Sequence, residues 1–556
     1  MSAKLDLDPG VVEACRQAAR TIAARVAEEI EGKTTVSVER TVARLLGVDG
    51  VDEFDVPLPN VLVEHVKARG GLGRGVAYWL GNAMLYDGRS PAQIARAVAD
   101  GELENLCALA PTEEWAIRER TVAECETGLK KIAKRFEDRG ALRERLGESP
   151  PPLRYVLTAT GNVYEDVVHS LAVAEAGGDI VAVIRSTAQS LLDYVPYGPT
   201  TEGYGGTFAT QANFKIMREA LDEWSEENGR YVRLSSFCSG LCMPEIAAMG
   251  AIEGLDNMVN DALYGILYRD INIVRGLIDQ RVSRMINGWF GVVINTGEDN
   301  YLRTADALEA APSVTASQFI NFELARDSGV PEEQIALGDA FEIDMPVTNS
   351  LLYEWAQAQL TRELFPGCPV KYMPPTRHMD GNLFRTHATD ALFNLVTAAT
   401  GQGIQTIGVL TECIFTPHVH DRVLGLENVN YVFNAARDLG EEIEFKRGGI
   451  VQTHAKEVLA KARETLEEIA QIGLFEAIEN STFGDVSRRV DDGRGIEGIV
   501  STEPGYFNPC VELMGLASGG ASAEQGASAT VNAGTRAARR SSTPTEAAVR
   551  EDASVA

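Results

Sequence analysis

The sequence predicts an α/β protein whose centre is a (β/α)8 barrel of the TIM type, with an N-terminal helical extension and a C-terminal accessory segment. After the proline run at 150–152, the spacing of apolar residues changes from a helical period to short β-branched runs that alternate with longer helical stretches. Eight strand candidates follow, each succeeded by a helical segment, which is the number of units in a closed barrel. An open, doubly wound sheet usually has fewer strands and stays the structural alternative.

Residues 1–150 are predicted to form a helical region. Asp8 can cap a first helix that has Pro9 at its first position, because a carboxylate oxygen accepts bonds from the free amides there. Apolar residues then recur at steps of three and four and form one stripe: Val12, Cys15, Ala19, Ile22, Val26 and Ile30. A second helix is predicted over 37–46 and ends at Gly47.

The barrel is predicted over residues 151–445. Its candidate strands span 154–160, 179–185, 231–237, 257–263, 291–296, 335–341, 369–373 and 404–411. The helical segments between and after them include 207–228, 272–287, 304–324, 349–363, 384–400 and 427–439. Function collects at the carboxyl ends of barrel strands, so candidate site residues are sought there.

Two segments follow the barrel. Residues 446–516 are predicted to be an accessory segment, with an amphipathic helix over 453–477 and then glycine-punctuated loops. Residues 517–556 are rich in Ala, Ser, Gly and Thr, with few large apolar side chains. Such a segment cannot offset the entropy of ordering itself and is predicted to be a disordered tail.

Composition excludes some classes of partner. The chain of 556 residues has 45% hydrophobic and 24% charged residues, which is ordinary for a globular protein, and a net charge of −29 argues against nucleic acid. No apolar run approaches the roughly 18 residues of a membrane helix, and the first residues lack an apolar signal core. The eight cysteines are scattered, so we expect reduced thiols in a cytoplasmic protein.

The second strand candidate ends in a polar cluster. The buried run at 181–184 is followed within six residues by a cation, several hydroxyls and an amide: Arg185, Ser186, Thr187, Gln189 and Ser190. Charged hydrogen bonds of this kind suit a phosphate. Tyr194 and Tyr197 come next on a stiff loop that contains Pro196 and Pro199. A phosphate clamp beside aromatic rings suits a phosphorylated aromatic cofactor.

Polar residues also follow most of the other strands. They are Thr158, Thr160 and Asn162; Ser235, Ser236, Cys238 and Ser239; Asn260, Asp261, Tyr264 and Arg269; Asn295, Thr296, Glu298 and Asp299; and Thr411 and Glu412. Helix capping explains a good half of them, because Ser, Thr, Asn and Asp are common caps. It does not explain Arg185, Tyr264 or Arg269, which are poor caps.

The segment 183–203 resembles the α subunit of the lysine 5,6-aminomutases, and the resemblance continues through 237–254, 260–272 and 294–301. It covers about residues 1–516. It implies a barrel that binds pyridoxal 5'-phosphate in an adenosylcobalamin-dependent isomerase. The implied reaction moves the terminal amino group of D-lysine or L-β-lysine from C6 to C5 by a radical 1,2-shift.

The resemblance also implies roles at matching positions. The cofactor phosphate would be held by Arg185, Ser186, Thr187, Ala188, Gln189 and Ser190. Ser239 would hydrogen-bond the pyridoxal, and Tyr264 would stack on its ring. Tyr194, Arg269 and Asp299 would meet the substrate or the polar rim of the cofactor, with Tyr264, Arg269 and Asp299 counted as catalytic. Without the resemblance, the sequence favours Tyr264 as a core aromatic with a bonded hydroxyl.

Two parts of such an enzyme are missing from the sequence. Lys371 alone among the lysines is placed to reach the barrel mouth, but it fits an ion pair equally well, and its role stays open. The one approach to a cobalamin motif has Thr376, His378 and Gly381, with Thr in place of the required Asp. The resemblance places the cobalamin domain and the Schiff-base lysine on a β subunit, in an α2β2 assembly.

The residues argue against an iron–sulfur cluster and a metal site, and they leave an alternative function open. An iron–sulfur radical enzyme needs a third cysteine after Cys238 and Cys242, and Glu245 occupies that position. No third ligand accompanies the His418 and His420 pair, so no metal site is predicted. An ornithine 4,5-aminomutase-like subunit, or a non-catalytic subunit that only positions its partner, remains as the alternative function.

Overall fold

The computed structural model describes residues 4–183, 189–298, 306–339, 343 and 346–519. The N-terminal region is helical, as predicted, apart from one short strand. Its elements are α1 (Pro9–Ile30), β1 (Lys33–Thr35), α2 (Val36–Leu45), α3 (Leu58–Lys67), α4 (Val76–Asp87), α5 (Pro91–Ala99) and α6 (Glu114–Leu146). Asp8 caps α1 by accepting a bond from the Gly10 amide at 2.8 Å.

Eight parallel strands form the barrel. They are β2 (Leu153–Leu157), β3 (Ile180–Ala182), β4 (Arg233–Phe237), β5 (Asn257–Val259), β6 (Val293–Asn295), β7 (Ile335–Ala336), β8 (Lys371–Tyr372) and β9 (Ile404–Thr406). Their order is β7-β6-β5-β4-β3-β2-β9-β8. Lys371 closes the ring, because its amide donates to Leu337 O at 2.8 Å and its carbonyl accepts from the Asp339 amide at 2.8 Å. The predicted barrel and all eight of its strands are confirmed.

Helices surround the barrel. They are α7 (Val163–Glu175), α8 (Gln211–Asn228), α9 (Met243–Glu253), α10 (Ala262–Arg269), α11 (Ile273–Phe290), α12 (Ala307–Asp327), α13 (Ser350–Leu364), α14 (Leu383–Thr400) and α15 (Val419–Ala435). The predicted strand at 257–263 is too long, because the chain turns into α10 at Asp261. The Asp261 side chain caps that helix by accepting from the Leu263 amide at 3.0 Å.

The C-terminal segment packs back on the N-terminal region. It contains α16 (Leu439–Glu442), α17 (Ile450–Ile472), α18 (Leu474–Glu479), β10 (Ile499–Ser501) and α19 (Pro509–Gly519). The sequence did not predict the pairing of β10 with β1, in which Thr35 lies opposite Ile499. The helix predicted over 453–477 is divided at Gly473 into α17 and α18. The tail was predicted to begin at residue 517, but α19 includes residues 517–519. Residues 520–556 lie outside the described residues, so disorder there stays a prediction.

The barrel interior is apolar at one level and polar at another. Tyr155, Ile180 and Ile404 belong to a small interior cluster, and the Tyr155 hydroxyl lies 3.2 Å from Ser235 Oγ across the barrel. Tyr372 faces outward and packs on Phe393 of α14. Successive side chains on a strand point to opposite faces, so the neighbouring Lys371 points inward, where it is 5% exposed.

None of the helices in the described ranges is long and apolar enough to cross a membrane.

Candidate functional site

The loops after β3, β4 and β5 meet at the carboxyl end of the barrel. The Leu241 amide donates to Ser190 O at 3.1 Å. A Cβ at Gly240 would lie 2.4 Å from Ser190 Cα, so only glycine permits this approach. The Asp261 amide donates to Ser239 Oγ at 3.0 Å. The structure thus brings together Ser190, Ser239 and the start of α10, which the sequence placed at three separate strand ends.

Ser239 ties two strand ends together. Its buried hydroxyl donates to Val259 O at 3.2 Å and accepts the Asp261 amide. A serine oxygen has two lone pairs, so one acceptor position is left after these bonds. A contact of Ser239 with a cofactor stays a prediction, and it would have to use that position.

Tyr264 and Arg269 form a pair on α10. Tyr264 is 8% exposed, and its ring makes an edge contact with Phe237 at a centroid distance of 5.7 Å. Arg269 Nη2 donates to the Tyr264 hydroxyl at 2.9 Å, and its guanidinium carbon lies 5.3 Å from the ring centre. Arg269 Nε is buried and has no hydrogen-bond partner within the described part of the chain. An unsatisfied buried donor of this kind is costly, and an anionic ligand could accept from it.

The phosphate clamp is only partly described. Arg185, Ser186, Thr187 and Ala188 lie outside the described residues, and so does Asp299. Gln189 is buried. Its side-chain Nε2 donates to Ala209 O at 3.1 Å, and its Oε1 accepts the Ala209 amide at 2.5 Å. These bonds anchor the loop to the segment before α8. Tyr194 is 46% exposed, so its ring is accessible beside this loop.

A pair of buried carboxyl groups, Asp261 and Glu298, follows the neighbouring strands β5 and β6. Asp261 Oδ2 accepts the Gly297 amide at 3.2 Å, and Glu298 Oε2 accepts the Gly338 amide at 3.1 Å. Burial, and after it the charge of Asp261, raises the pKa of Glu298 to about 8. Glu298 therefore keeps its proton at neutral pH and can act as a neutral hydrogen-bonding group. The sequence placed Glu298 at a strand end but assigned it no role.

Other polar strand ends serve the fold. Asn162 caps α7 by accepting the Tyr164 amide at 3.0 Å. Asn260 donates to Ser283 Oγ at 2.7 Å, and Thr411 donates to Asp421 Oδ2 at 2.8 Å. These contacts confirm that capping and packing explain many of the polar residues after the strands.

Two asparagines make the barrel interior polar. Asn257 shares a register position with Ser235, and Asn295 lies two residues after Val293, which packs on the interior cluster. Both amides are buried, and neither has a hydrogen-bond partner among the described residues. Buried amides without partners are rare in folded proteins, so the interior is built for water or a polar ligand.

Comparison with known proteins gives one consistent result. A family model described as the D-lysine 5,6-aminomutase TIM-barrel domain of the alpha subunit matches residues 5–513. The chain is 53% identical over 514 residues to the lysine 5,6-aminomutase alpha subunit of Acetoanaerobium sticklandii, covering 92% of this chain and 99% of that protein. The alpha subunit from Fusobacterium nucleatum is 53% identical over 515 residues, with the same coverage of 92% and 99%.

A more distant relative is the D-ornithine 4,5-aminomutase subunit beta of Acetoanaerobium sticklandii. It is 27% identical over 382 residues, covering 66% of this chain and 51% of that protein. The two full-length matches confirm the resemblance seen in the sequence, and the described barrel agrees with the family's barrel domain. The chain therefore belongs to the family of lysine 5,6-aminomutase alpha subunits, which are subunits of isomerases.

Proposed function

We propose that this chain is the catalytic α subunit of an aminomutase that depends on adenosylcobalamin and pyridoxal 5'-phosphate. Its substrate is D-lysine or L-β-lysine, and the terminal amino group moves from C6 to C5 by a radical 1,2-shift. The observation that carries the proposal is the 53% identity over 99% of two proteins named for this reaction. The polar mouth of the barrel supports it independently.

The described residues fit a phosphorylated aromatic cofactor. Tyr264 offers a ring held by Phe237 and Arg269, and aromatic stacking on such a ring is favourable. Arg269 Nε and the Asn295 amide are buried groups that have no partner within the described ranges, so a polar ligand would satisfy them. The phosphate would be held by the loop 185–190, and Ser239 would use its remaining lone pair.

The chain's own residues would bind the cofactor, orient the substrate and protect the reaction from water. When bound, pyridoxal phosphate supplies a carbonyl carbon that holds the migrating amino group, and adenosylcobalamin supplies the radical. Arg269 provides a cation for the carboxylate of the substrate, with Tyr194 and Asp299 as further contacts. Ser239 is 1% exposed and Tyr264 is 8% exposed, so this wall of the site excludes water from a radical reaction.

The proposal includes a partner. A β subunit would bring the cobalamin domain and the lysine that binds the cofactor carbonyl, in an α2β2 assembly.

An ornithine-specific subunit is the second candidate, and the 27% identity to the ornithine enzyme over part of its length favours it less. A subunit that only positions its partner has no need of buried amides without partners, such as those of Asn257 and Asn295 among the described residues.

The test compares the chain alone with the chain purified together with its β subunit. Both are given the two cofactors and then D-lysine, L-β-lysine or D-ornithine, and the position of the amino group in the product is read by NMR. We expect C5 amines from lysine substrates with the complex only. Turnover by the chain without its β subunit would contradict the two-subunit proposal. Turnover of ornithine but of neither lysine substrate would assign the second candidate.

A further inference from the structure

Asp193 lies directly before Tyr194 and three residues after Ser190. Its carboxylate is bound by a buried arginine, Arg275. Arg275 of α11 binds both oxygens of Asp193, with Nη2 2.7 Å from Oδ1 and Nη1 3.0 Å from Oδ2. Arg275 is fully buried, and its Nε donates to Asp279 Oδ2 at 2.7 Å. A two-point contact between a planar guanidinium and a carboxylate fixes orientation as well as distance.

The N-terminal region contributes a second arginine. Arg40 of α2 donates from Nη1 to Asp193 O at 2.6 Å and to Asp193 Oδ1 at 3.1 Å. The same atom lies 3.6 Å from Glu245 Oε1 at the start of α9. Arg40 therefore joins the N-terminal helices to the loop after β3, across about 150 residues of sequence.

The C-terminal segment reaches the same point. Arg275 Nη1 donates to Gly495 O at 3.1 Å. A Cβ at Gly498 would lie 2.3 Å from Arg275 Nη1, so a larger residue there would displace the guanidinium from its contacts. Thr35, which lies in β1 opposite β10, donates to Asp279 Oδ1 at 2.5 Å.

Asp193 and its neighbours form a cluster of ion pairs that is balanced in charge and largely buried. Its acids are Asp193, Glu245 and Asp279, and its cations are Arg40, Arg44 and Arg275. Buried ion pairs contribute little net stability compared with apolar packing of the same volume, but they define one geometry. The cluster is therefore a costly way to stabilise the fold and an effective way to fix the loop in one position.

We propose that Asp193 is a positioning residue, through which the N-terminal and C-terminal extensions hold the loop 189–194 at the barrel mouth. The extensions thereby set the affinity for the cofactor phosphate and the position of Tyr194. This inference rests on the proposed function, because it takes this loop to be part of the cofactor site. It assigns to both extensions a role in the site, besides packing.

The test uses the chain in complex with its β subunit. Asp193→Asn keeps the shape of the side chain and removes its charge. The matched control is Asp222→Asn on α8, because Asp222 is also paired with two arginines, Arg139 at 3.0 Å and Arg218 at 2.8 Å. The two carboxylates are similarly accessible, with side chains 25% and 32% exposed. The measurements are the dissociation constant of pyridoxal phosphate, the melting temperature, and amide exchange of the peptide 189–198.

Asp193→Asn should weaken pyridoxal phosphate binding by about tenfold or more, as expected for loss of a charged hydrogen bond, and should speed exchange in the peptide 189–198. Asp222→Asn should lower the melting temperature and leave both other quantities unchanged. Equal effects of the two variants on cofactor affinity and exchange would overturn the proposal. If the wild-type complex itself fails to bind pyridoxal phosphate, the proposed function fails instead.

A second variant keeps the test decisive if Asp193→Asn does not fold. Arg40→Lys retains the positive charge, but its side chain is one bond shorter, so its nitrogen does not reach the position from which Arg40 Nη1 contacts both the carbonyl and the carboxylate of Asp193. It should weaken cofactor binding and loosen the loop in the same direction. Where Asp193→Asn does fold, the loss in the double variant should be smaller than the sum of the two single losses, because both changes break one contact. Unchanged cofactor affinity and loop exchange in Arg40→Lys, or additive losses in the double variant, would overturn the proposal.

Discussion

Arg269 donates a hydrogen bond to the Tyr264 hydroxyl at 2.9 Å and places its guanidinium carbon 5.3 Å from the centre of the same ring. The two side chains are therefore one unit on α10, and a change in either one alters the other. The bonded hydroxyl also agrees with the alternative that Tyr264 is only a core residue. The two roles differ in what the variants should lose.

Tyr264→Phe and Tyr264→Ala separate these roles. If the ring stacks on pyridoxal, Phe should keep most of the cofactor affinity, and Ala should lose about 1 kcal/mol or more of binding free energy. A core role would instead cost about 3–5 kcal/mol of stability in the Ala variant, with little effect on cofactor binding. Cofactor titrations beside melting curves distinguish the outcomes, and equal loss of affinity in both variants would contradict stacking.

Arg185→Ala tests the phosphate clamp, which the sequence predicts and which lies outside the described residues. Loss of a guanidinium–phosphate bond should cost about 1.5–3 kcal/mol, so cofactor affinity should fall on the order of ten- to a hundredfold. Arg463→Ala is a suitable control, because Arg463 forms an exposed pair with Glu467 on α17, at 2.7 Å. A destabilised Arg185→Ala chain with unchanged cofactor affinity would show that Arg185 is structural.

Truncation tests the end of the chain. A chain ending after Gly519 should keep the activity and melting temperature of the full chain, because the composition of the tail cannot build a core. A chain ending after Asn508 should lose stability, because α19 buries Cys510 and Met514 and its Glu512 binds Arg118 at 2.6 Å. Equal behaviour of the two truncated chains would show that α19 does not contribute to the fold.

The barrel was predictable because the sequence pattern of each strand is local. Each strand is a short apolar run followed by polar residues, and eight such runs in order leave few other folds. Strand ends were less certain, because they depend on side-chain bonds. The cap that Asp261 forms ends β5 at Val259, four residues before the predicted end.

The site was predictable in part. The polar strand ends and the family resemblance predicted Ser239, Tyr264 and Arg269 as site residues, and the structure places Ser239 against the start of α10, the helix that carries the other two. The contacts behind them were not predictable, because Arg40 and Arg275 reach Asp193 from 153 and 82 residues away. The sequence also does not state which face of β8 packs on α14. The inward direction of the Lys371 side chain was therefore not predictable.

Glu298→Gln tests the buried acid that follows β6 and interacts with Asp261. The pKa of Glu298 is raised from 4.5 to about 8 by burial and then by Asp261. Between these pH values the unfolded chain has lost the proton and the folded chain keeps it. The free energy of unfolding should therefore fall as pH rises from about 4.5 to about 8, and this contribution should be constant above that range.

Glutamine resembles the protonated acid, so it should keep the bond from the Gly338 amide and remove this pH dependence. We expect the variant to gain stability relative to the wild type between pH 6 and pH 8, measured by denaturant unfolding across that range. Glu165→Gln, which replaces an exposed carboxylate in the first turn of α7, is the control and should follow the wild type. If Glu298→Gln and the wild type lose stability in parallel from pH 6 to pH 8, Glu298 is ionised at neutral pH and does not serve the site as a neutral hydrogen-bonding group.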